Sequence, residues 1–349
     1  MAAANAETVV AECGGTVRRW PALAMLVVML LALVLASLRL GTVALDWGTL
    51  YRGMVSANPA DFPVLWNLRL PRTLLAVVVG AQFALSGLIL QRVIRNPLAD
   101  PGVVGVSGGA GLAVVILLLL SDLLPGVAAG VGLAGLPWAA LVGGLMVAAL
   151  VLALAWRNGL APARLALTGI AVGAVLNAAV MWVVVVWGGS RTETTLMWLA
   201  GSLYGRDFSH LWLLLPWTLA GLLALLPALK PLSLLRFGDH QAQTLGLAVQ
   251  RWRLLALAVA VMLAASAVAV AGPMGFVGLI VPHLARLLAR GSFAAQVPVC
   301  LLLGGALTLA ADIVGRTLAS PLELPAGAVT TLLGIPVLLY LLIKQGGRS

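Results

Sequence analysis

Apolar runs of near-constant length, separated by short polar breaks, fill the 349-residue chain from residue 21 onward. Ten segments stand out, at 21–38, 73–91, 102–120, 137–155, 165–187, 209–229, 252–271, 275–290, 296–314 and 326–343. A helix of about 20 apolar residues crosses a ~30 Å hydrocarbon core, so each predicts a membrane span. The eighth is short and interrupted by Pro282 and His283. The second is the most sharply bounded, with Arg69 and Arg72 at one end and Arg92 and Arg95 at the other. After it comes Asn96-Pro97-Leu98-Ala99-Asp100-Pro101-Gly102, where two prolines stop the helix and reverse the chain. The return into the membrane runs through Gly105, Gly108, Gly109 and Gly111, small residues that let helices approach closely.

Composition agrees with this pattern. Hydrophobic residues make up 62% of the chain and charged residues 9%, with a mean hydropathy of +1.10. A soluble fold of this size needs a far more charged surface. The expected class is therefore an all-α polytopic membrane protein. An even number of spans puts both termini on one side. Placing them in the cytoplasm leaves 14 of the 21 Lys and Arg residues inside and 7 outside, as the positive-inside rule requires. That rule also accounts for the net charge of +10, and no basic run is interleaved with aromatics, so nucleic acid is not expected as a partner. Residues 1–20 read as a cytoplasmic tail and 21–349 as one ten-helix domain, the first helix being uncleaved because no clean small-x-small site follows it. Cys13 and Cys300 suggest neither a disulfide framework nor a metal site.

The longest cytoplasmic connection is 230–251. Gly238 and Asp239 predict a turn into a short helix, with Asp239 near its N-terminus, and Gly246 predicts its end. Composition alone leaves two readings open, an amphipathic helix lying on the membrane and a docking surface for a cytoplasmic partner. A weak internal repeat pairs Pro101–Val106 with Met274–Leu279, at the start of an outward and an inward span, a topology found in inverted-repeat transporters. The chain has no G-x-x-x-x-G-K-[ST] loop for ATP phosphates, and its three histidines, His210, His240 and His283, are scattered. Without a run of intramembrane carboxylates there is no proton relay either. Active transport would need energy from a partner.

Several blocks carry a family resemblance. They are L-R-L-P-R at 68–72, R-N-P-L-A-D-P-G at 95–102, G-V-S-G-G-A-G at 105–111 and A-R-L-A-L-T-G-I-A-V-G at 163–173, followed by M-W-L-A-G-S-L at 197–203. G-F-V-G-L-I-V-P-H-L-A-R at 275–286, A-D-I-V-G-R at 311–316 and E-L-P-A-G-A-V-T-T-L-L-G-I-P at 323–336 complete the set. Over about 60–349 the chain resembles the FecCD-type, BtuC-like permeases of ABC importers for haem, iron-siderophores and cobalamin. The resemblance implies a ten-helix type II importer fold and a homodimer with the path at its interface. It also implies two cytoplasmic ATPase subunits holding ATP and Mg, a periplasmic binding protein, and a multi-pass place in a bacterial inner membrane. On this reading the chain is not itself an enzyme and binds no cofactor or metal.

The resemblance also implies residue roles. Arg69, Arg72 and Arg316 would receive the binding protein's acidic residues. Asn96 and Leu98 would form one cytoplasmic gate and Pro162 and Ala163 a second, although Ala161-Pro162-Ala163 lacks the hydroxyl residues of other members and could act only sterically. The coupling segment would use Phe237, Gly238, Asp239, Gln241, Ala242, Leu245 and Gly246. An apolar path from spans near 80–90 and 163–177 would have Gln82, Ser86 and Asn177 among its few polar members, with His283 structural rather than iron-ligating. Haem is the first substrate expected, with ferric siderophore or cobalamin as alternatives. A stand-alone secondary transporter would need an ion site, and a lipid- or quinone-modifying enzyme a His or carboxylate constellation, that this sequence does not display.

Overall fold

The computed structural model describes residues 19–41, 45–56, 58–124, 133–157, 159–187, 192–289, 291–319 and 322–346. The N-terminal tail with Cys13, and Arg18, Arg191, Arg290 and Arg348 of the orientation argument, lie outside the described residues. In chain order the helices are α1 (Arg19–Arg39), α2 (Trp47–Ser56), α3 (Leu70–Ile94, led by a π-helical Val64–Arg69), α4 (Val106–Leu123), α5 (Leu136–Ala155), α6 (Pro162–Trp187) and α7 (Thr192–Leu199). After these come α8 (Phe208–Leu225), α9 (Leu229–Leu234), α10 (Asp239–Thr244), α11 (Val249–Ala271), α12 (Val277–Leu288), α13 (Phe293–Leu318) and α14 (Ala326–Gly346).

All ten apolar segments are helical. Eight helices are long and apolar enough to cross a membrane, and the apolar stretches of α12 and α14 are shorter. In lipid every backbone group must be satisfied internally, which helices do segment by segment. Helices α2 and α7 were not expected; W-G-T-L-Y-R-G-M-V-S and T-E-T-T-L-M-W-L are too short to span. The eighth segment is short, as its sequence indicated. Helix α12 has 12 residues, roughly 18 Å at 1.5 Å per residue, less than the ~30 Å of a hydrocarbon core. The non-helical stretch Gly272–Phe276 leads into it, with Phe276 left-handed at φ 67°. Such backbone survives at depth only where protein satisfies it. Here Ser202 N–H donates to the Ala271 carbonyl at 2.8 Å and Thr330 Oγ1 donates to the Gly275 carbonyl at 3.1 Å. The sequence-matched segment at 101–106 has its own left-handed residue, Gly105 at φ 79°, before α4.

The centre of the molecule is α3 with α11. In each, 78% of the apolar window is buried, against 17% for α1 and for α6. Around α3 pack α11, α12 and α13. Lipid tails are as apolar as leucine, so contact must come from close packing rather than from the exclusion of water. Glycines allow that approach. A methyl on Gly87 would overlap the Gly278 carbonyl of α12, and one on Gly80 would overlap the Gly304 carbonyl of α13. Gly278 in turn lies against Pro101, so the reversal after α3 and the start of α12 meet on the same helix.

Substituting Gly87 with Val forces α3 away from α12 and costs about 3 kcal/mol or more, the upper end for overpacking against a backbone that cannot move aside. Gly173 on α6, where an added methyl meets nothing within 4 Å, is the control, and Gly173→Ala stays within about 0.5 kcal/mol of wild type. Thermal unfolding in detergent measures both. Equal midpoints for the two variants would refute the close-packing account.

Candidate functional site

Charged side chains gather at the two ends of the α3 bundle. At the end where α3 begins, Arg72 grips two acids. Its Nε donates to Asp312 Oδ1 and Oδ2 at 2.9 and 3.2 Å, and its Nη1 to Glu323 Oε2 at 2.8 Å. Arg316, one turn beyond Asp312 on α13, donates through Nη2 to the carbonyl and hydroxyl of Ser37 at 2.8 and 2.7 Å. The Ser37 and Thr73 hydroxyls share a hydrogen bond of 2.6 Å, which returns the network to α3. Arg69 donates to the carbonyls of Leu38 and Arg39, at the C-terminal end of α1, at 2.6 and 2.7 Å.

The sequence therefore named three arginines that do come together, but not as free cations. Arg69 and Arg316 are only 6% and 4% exposed, and Arg72 shows a small edge. Their work within the chain is to tie α1, α3, α13 and the 323 loop to one another. Asp312 and Glu323 are the residues that sequence reasoning passed over. The one available signal was the spacing of Asp312 and Arg316, four apart on a helix.

At the opposite end, one carboxylate joins three segments. Asp239, the first residue of α10, accepts from Arg253 Nη2 at 2.6 Å and pairs with Arg95. Arg95 is the left-handed cap of α3, at φ 55°, immediately before Asn96 and Leu98. Arg253 is buried on the first turn of α11, and its Nη1 donates to the Leu160 carbonyl at 2.7 Å. Gln250 Oε1 accepts from Leu160 N–H at 3.1 Å, so both backbone groups of Leu160, two residues before Pro162, are held by α11. The N-cap of α10 is Gly238 at φ 104°, which has no side chain to cap the helix, and the Asp239 carboxylate beside it is engaged by the arginines. The C-terminal end is a glycine turn, with Gly246 at φ 80° and Leu247 N–H donating to the Ala242 carbonyl at 3.0 Å. The short helix predicted from Gly238 and Gly246 is thus present.

The remaining expected residues divide by exposure. Of the coupling set, Ala242 is buried while Phe237, Gln241, Leu245 and Gly246 face out, Leu245 being 62% exposed. In the expected gates, Asn96, Leu98 and Ala163 are exposed and Pro162 opens α6 half-buried. Asn96 Oδ1 accepts from Leu98 N–H at 2.9 Å and fixes the turn. Asp100 accepts from Val103 N–H at 3.2 Å, and its burial raises its pKa against that bond. Gln82 and Ser86 require correction as lining residues. Both are sealed inside the bundle, where Gln82 Nε2 donates to Thr218 Oγ1 at 2.8 Å and Ser86 Oγ to the Ala260 carbonyl at 2.7 Å. An all-apolar helix leaves the sequence no face to tell inside from outside, and these polar groups sit where protein rather than a path can satisfy them. Asn177 does lie on an exposed face of α6, with Ile170, Ala174 and Ala178. Among the described residues no group of three His, Cys, Asp or Glu side chains could hold a metal.

Replacing Asp312 with Asn leaves Arg72 and Arg316 without their buried anion and costs about 3–5 kcal/mol. Glu323→Gln removes a partly exposed partner and costs about 1 kcal/mol or less. Detergent unfolding of both variants checks the order, and a larger loss for Glu323→Gln would contradict it.

Comparison with known proteins follows the same outline. Residues 29–344 match the model of the FecCD transport family. The achromobactin transport system permease protein of Dickeya dadantii (strain 3937) is 41% identical over 91% of this chain and 89% of its own. The hemin transport system permease protein of Yersinia pestis is 38% identical, covering 93% and 95%, and the Fe(3+)-citrate import system permease protein of Bacillus subtilis (strain 168) is 37% identical, covering 92% and 94%. A solved inward-facing conformation of a metal-chelate type ABC transporter superposes with a TM-score of 0.81 at 28% identity, over 93% of this chain and 99% of that one. With its membrane-length apolar helices and this match over residues 29–344, the chain is a multi-pass membrane permease and belongs to the FecCD transport family.

Proposed function

We propose that this chain is the membrane subunit of an ATP-driven importer that carries a bulky metal chelate into the cytoplasm, working as a homodimer in a bacterial inner membrane. The single observation that carries the mechanism is the Asp239 junction. An exposed helix, α10, is clamped by one carboxylate to Arg95, next to Asn96 and Leu98, and to Arg253, which holds Leu160 next to Pro162. Movement imposed on α10 by a cytoplasmic ATPase would reach both candidate gates without intervening flexible chain. On this reading Phe237, Gln241 and Leu245 make the ATPase contact, while Asp239 and Ala242 transmit it.

The path is assigned to the exposed face of α6, completed by a second copy. This helix of 26 residues is long and apolar yet has only 17% of its window buried, and a smooth weakly binding wall lets a large cargo leave. Orientation rests on the 14-to-7 arginine and lysine asymmetry, which puts the α10 end inside. ATP and Mg would sit on the partner, and a periplasmic protein would deliver substrate to the Arg72 end, with docking at the rim around Glu323 and the exposed edge of Arg72. Haem remains the substrate favoured by the sequence. Relatives named for achromobactin, Fe(3+)-citrate, hemin and vitamin B12 support ferric siderophore and other chelates equally well.

Two measurements test this. In proteoliposomes with its ATPase, the chain should show ATP-dependent uptake of haem or a ferric siderophore from a loaded binding protein. Uptake sustained by an ion gradient without ATP would establish a stand-alone transporter instead. In the same complex, Leu245→Glu should abolish ATPase co-purification, whereas Asp239→Asn should keep the ATPase bound but lower transport per ATP by about tenfold, the effect of losing roughly 1.4 kcal/mol of coupling. Wild-type transport in both variants would rule out a coupling role for α10.

A further inference from the structure

Three arginines near the α10 end have no carboxylate partner among the described residues. Arg92, in the last turn of α3, donates from Nη2 to Gln296 Oε1 at 3.1 Å and lies 5.6 Å from the Phe293 ring centroid. Arg236 stacks on Phe237 at 4.4 Å and is exposed. Arg286, on α12, donates from Nη1 to Gln91 Oε1 at 2.7 Å, while its Nη2 is buried with no hydrogen-bond partner. Arg92 and Arg236 line one cavity, and Arg286 is held by Gln91, the residue before Arg92. Like charges held together at the edge of a low-dielectric region call for an anion.

The structure provides a place for one. A cavity of about 250 Å³ is lined by Arg92, Arg236, Ser233, Ser292, Phe237 and Phe293. The beginning of α13 lines it, with Phe293 N–H donating to Ser233 Oγ at 3.3 Å, and the positive end of a 26-residue helix dipole adds to the arginine charge. Guanidinium groups present paired donors that match the oxygens of a phosphate. Depth identifies the source. Arg92 belongs to the end of one span and Phe293 to the start of another, so the cavity lies where hydrocarbon gives way to head groups, with the exposed Leu287 and Leu288 at the same end. Of the residues assigned to the ATPase contact, Gln241 and Leu245 lie beyond the cavity on and after α10, and Phe237 is shared between the cavity wall and that surface.

We propose that this cavity binds the phosphate of an anionic lipid of the cytoplasmic leaflet, fixing the junction of α3, the 233–237 segment and α13 beside the coupling helix. The test uses the purified full chain in neutral detergent and follows its thermal midpoint as phosphatidylglycerol, phosphatidylcholine or inorganic phosphate is added. Phosphatidylglycerol should stabilise it and phosphatidylcholine should not. The double variant R92Q/R236Q should need on the order of tenfold more phosphatidylglycerol for the same shift. R236Q alone, at an exposed position, should show part of that loss. An unchanged lipid response in R92Q/R236Q overturns the proposal. An equal shift from inorganic phosphate at the same concentration also overturns it, assigning the site to a free anion. Loss of ATPase co-purification with the lipid response intact overturns it in favour of a protein carboxylate.

Discussion

Close contact between α3 and its neighbours fixes the position of every functional side chain in this permease. Helix α3 is packed by α11, α12 and α13, and the contacts at Gly80 and Gly87 leave no room for a methyl group. In a membrane the hydrophobic effect holds the helices in the bilayer but does little to choose their partners. Shape does that here. Because α3 cannot slide or rotate against α12 and α13 without steric overlap, the arginines at its two ends are delivered to fixed points.

Those points are where polar chemistry concentrates, and nearly all of it is directed inward. Arg72, Asp312, Arg316, Ser37 and Thr73 form one connected network at one end, and Asp239, Arg95, Arg253 and the Leu160 backbone form another at the opposite end. A buried guanidinium is tolerable only when its charge is answered and its donors are filled. The two networks meet that demand with partners from distant parts of the chain, and so they join elements that apolar packing alone would leave loosely ordered. The cluster of Arg92, Arg236 and Arg286 departs from this pattern.

The Asp239 junction gives the second network a mechanical meaning. The helix that carries it is only six residues long and would not be stable alone. Its position is set by buried Ala242, by the glycine turn at Gly246 and by two arginines. On the proposed coupling role, a short helix held in this way would move with its anchors rather than bend.

The sequence by itself determined the ten apolar helices, the proline-forced reversal after Arg95 and the bounds of the Gly238–Gly246 segment. It did so because span length, proline geometry and glycine caps are local properties. Its motif blocks from 68–72 to 323–336, taken together and in order, carried the resemblance to its family. Only the tertiary structure decided that Gln82 and Ser86 face the interior, and that Arg72 answers Asp312 and Glu323, 240 and 251 residues away. A helix apolar on every side carries no mark of which face is covered, and charge spacing reveals pairs within one helix, such as Asp312 and Arg316, but not the partners of Arg72. Both were settled by how closely the backbones approach.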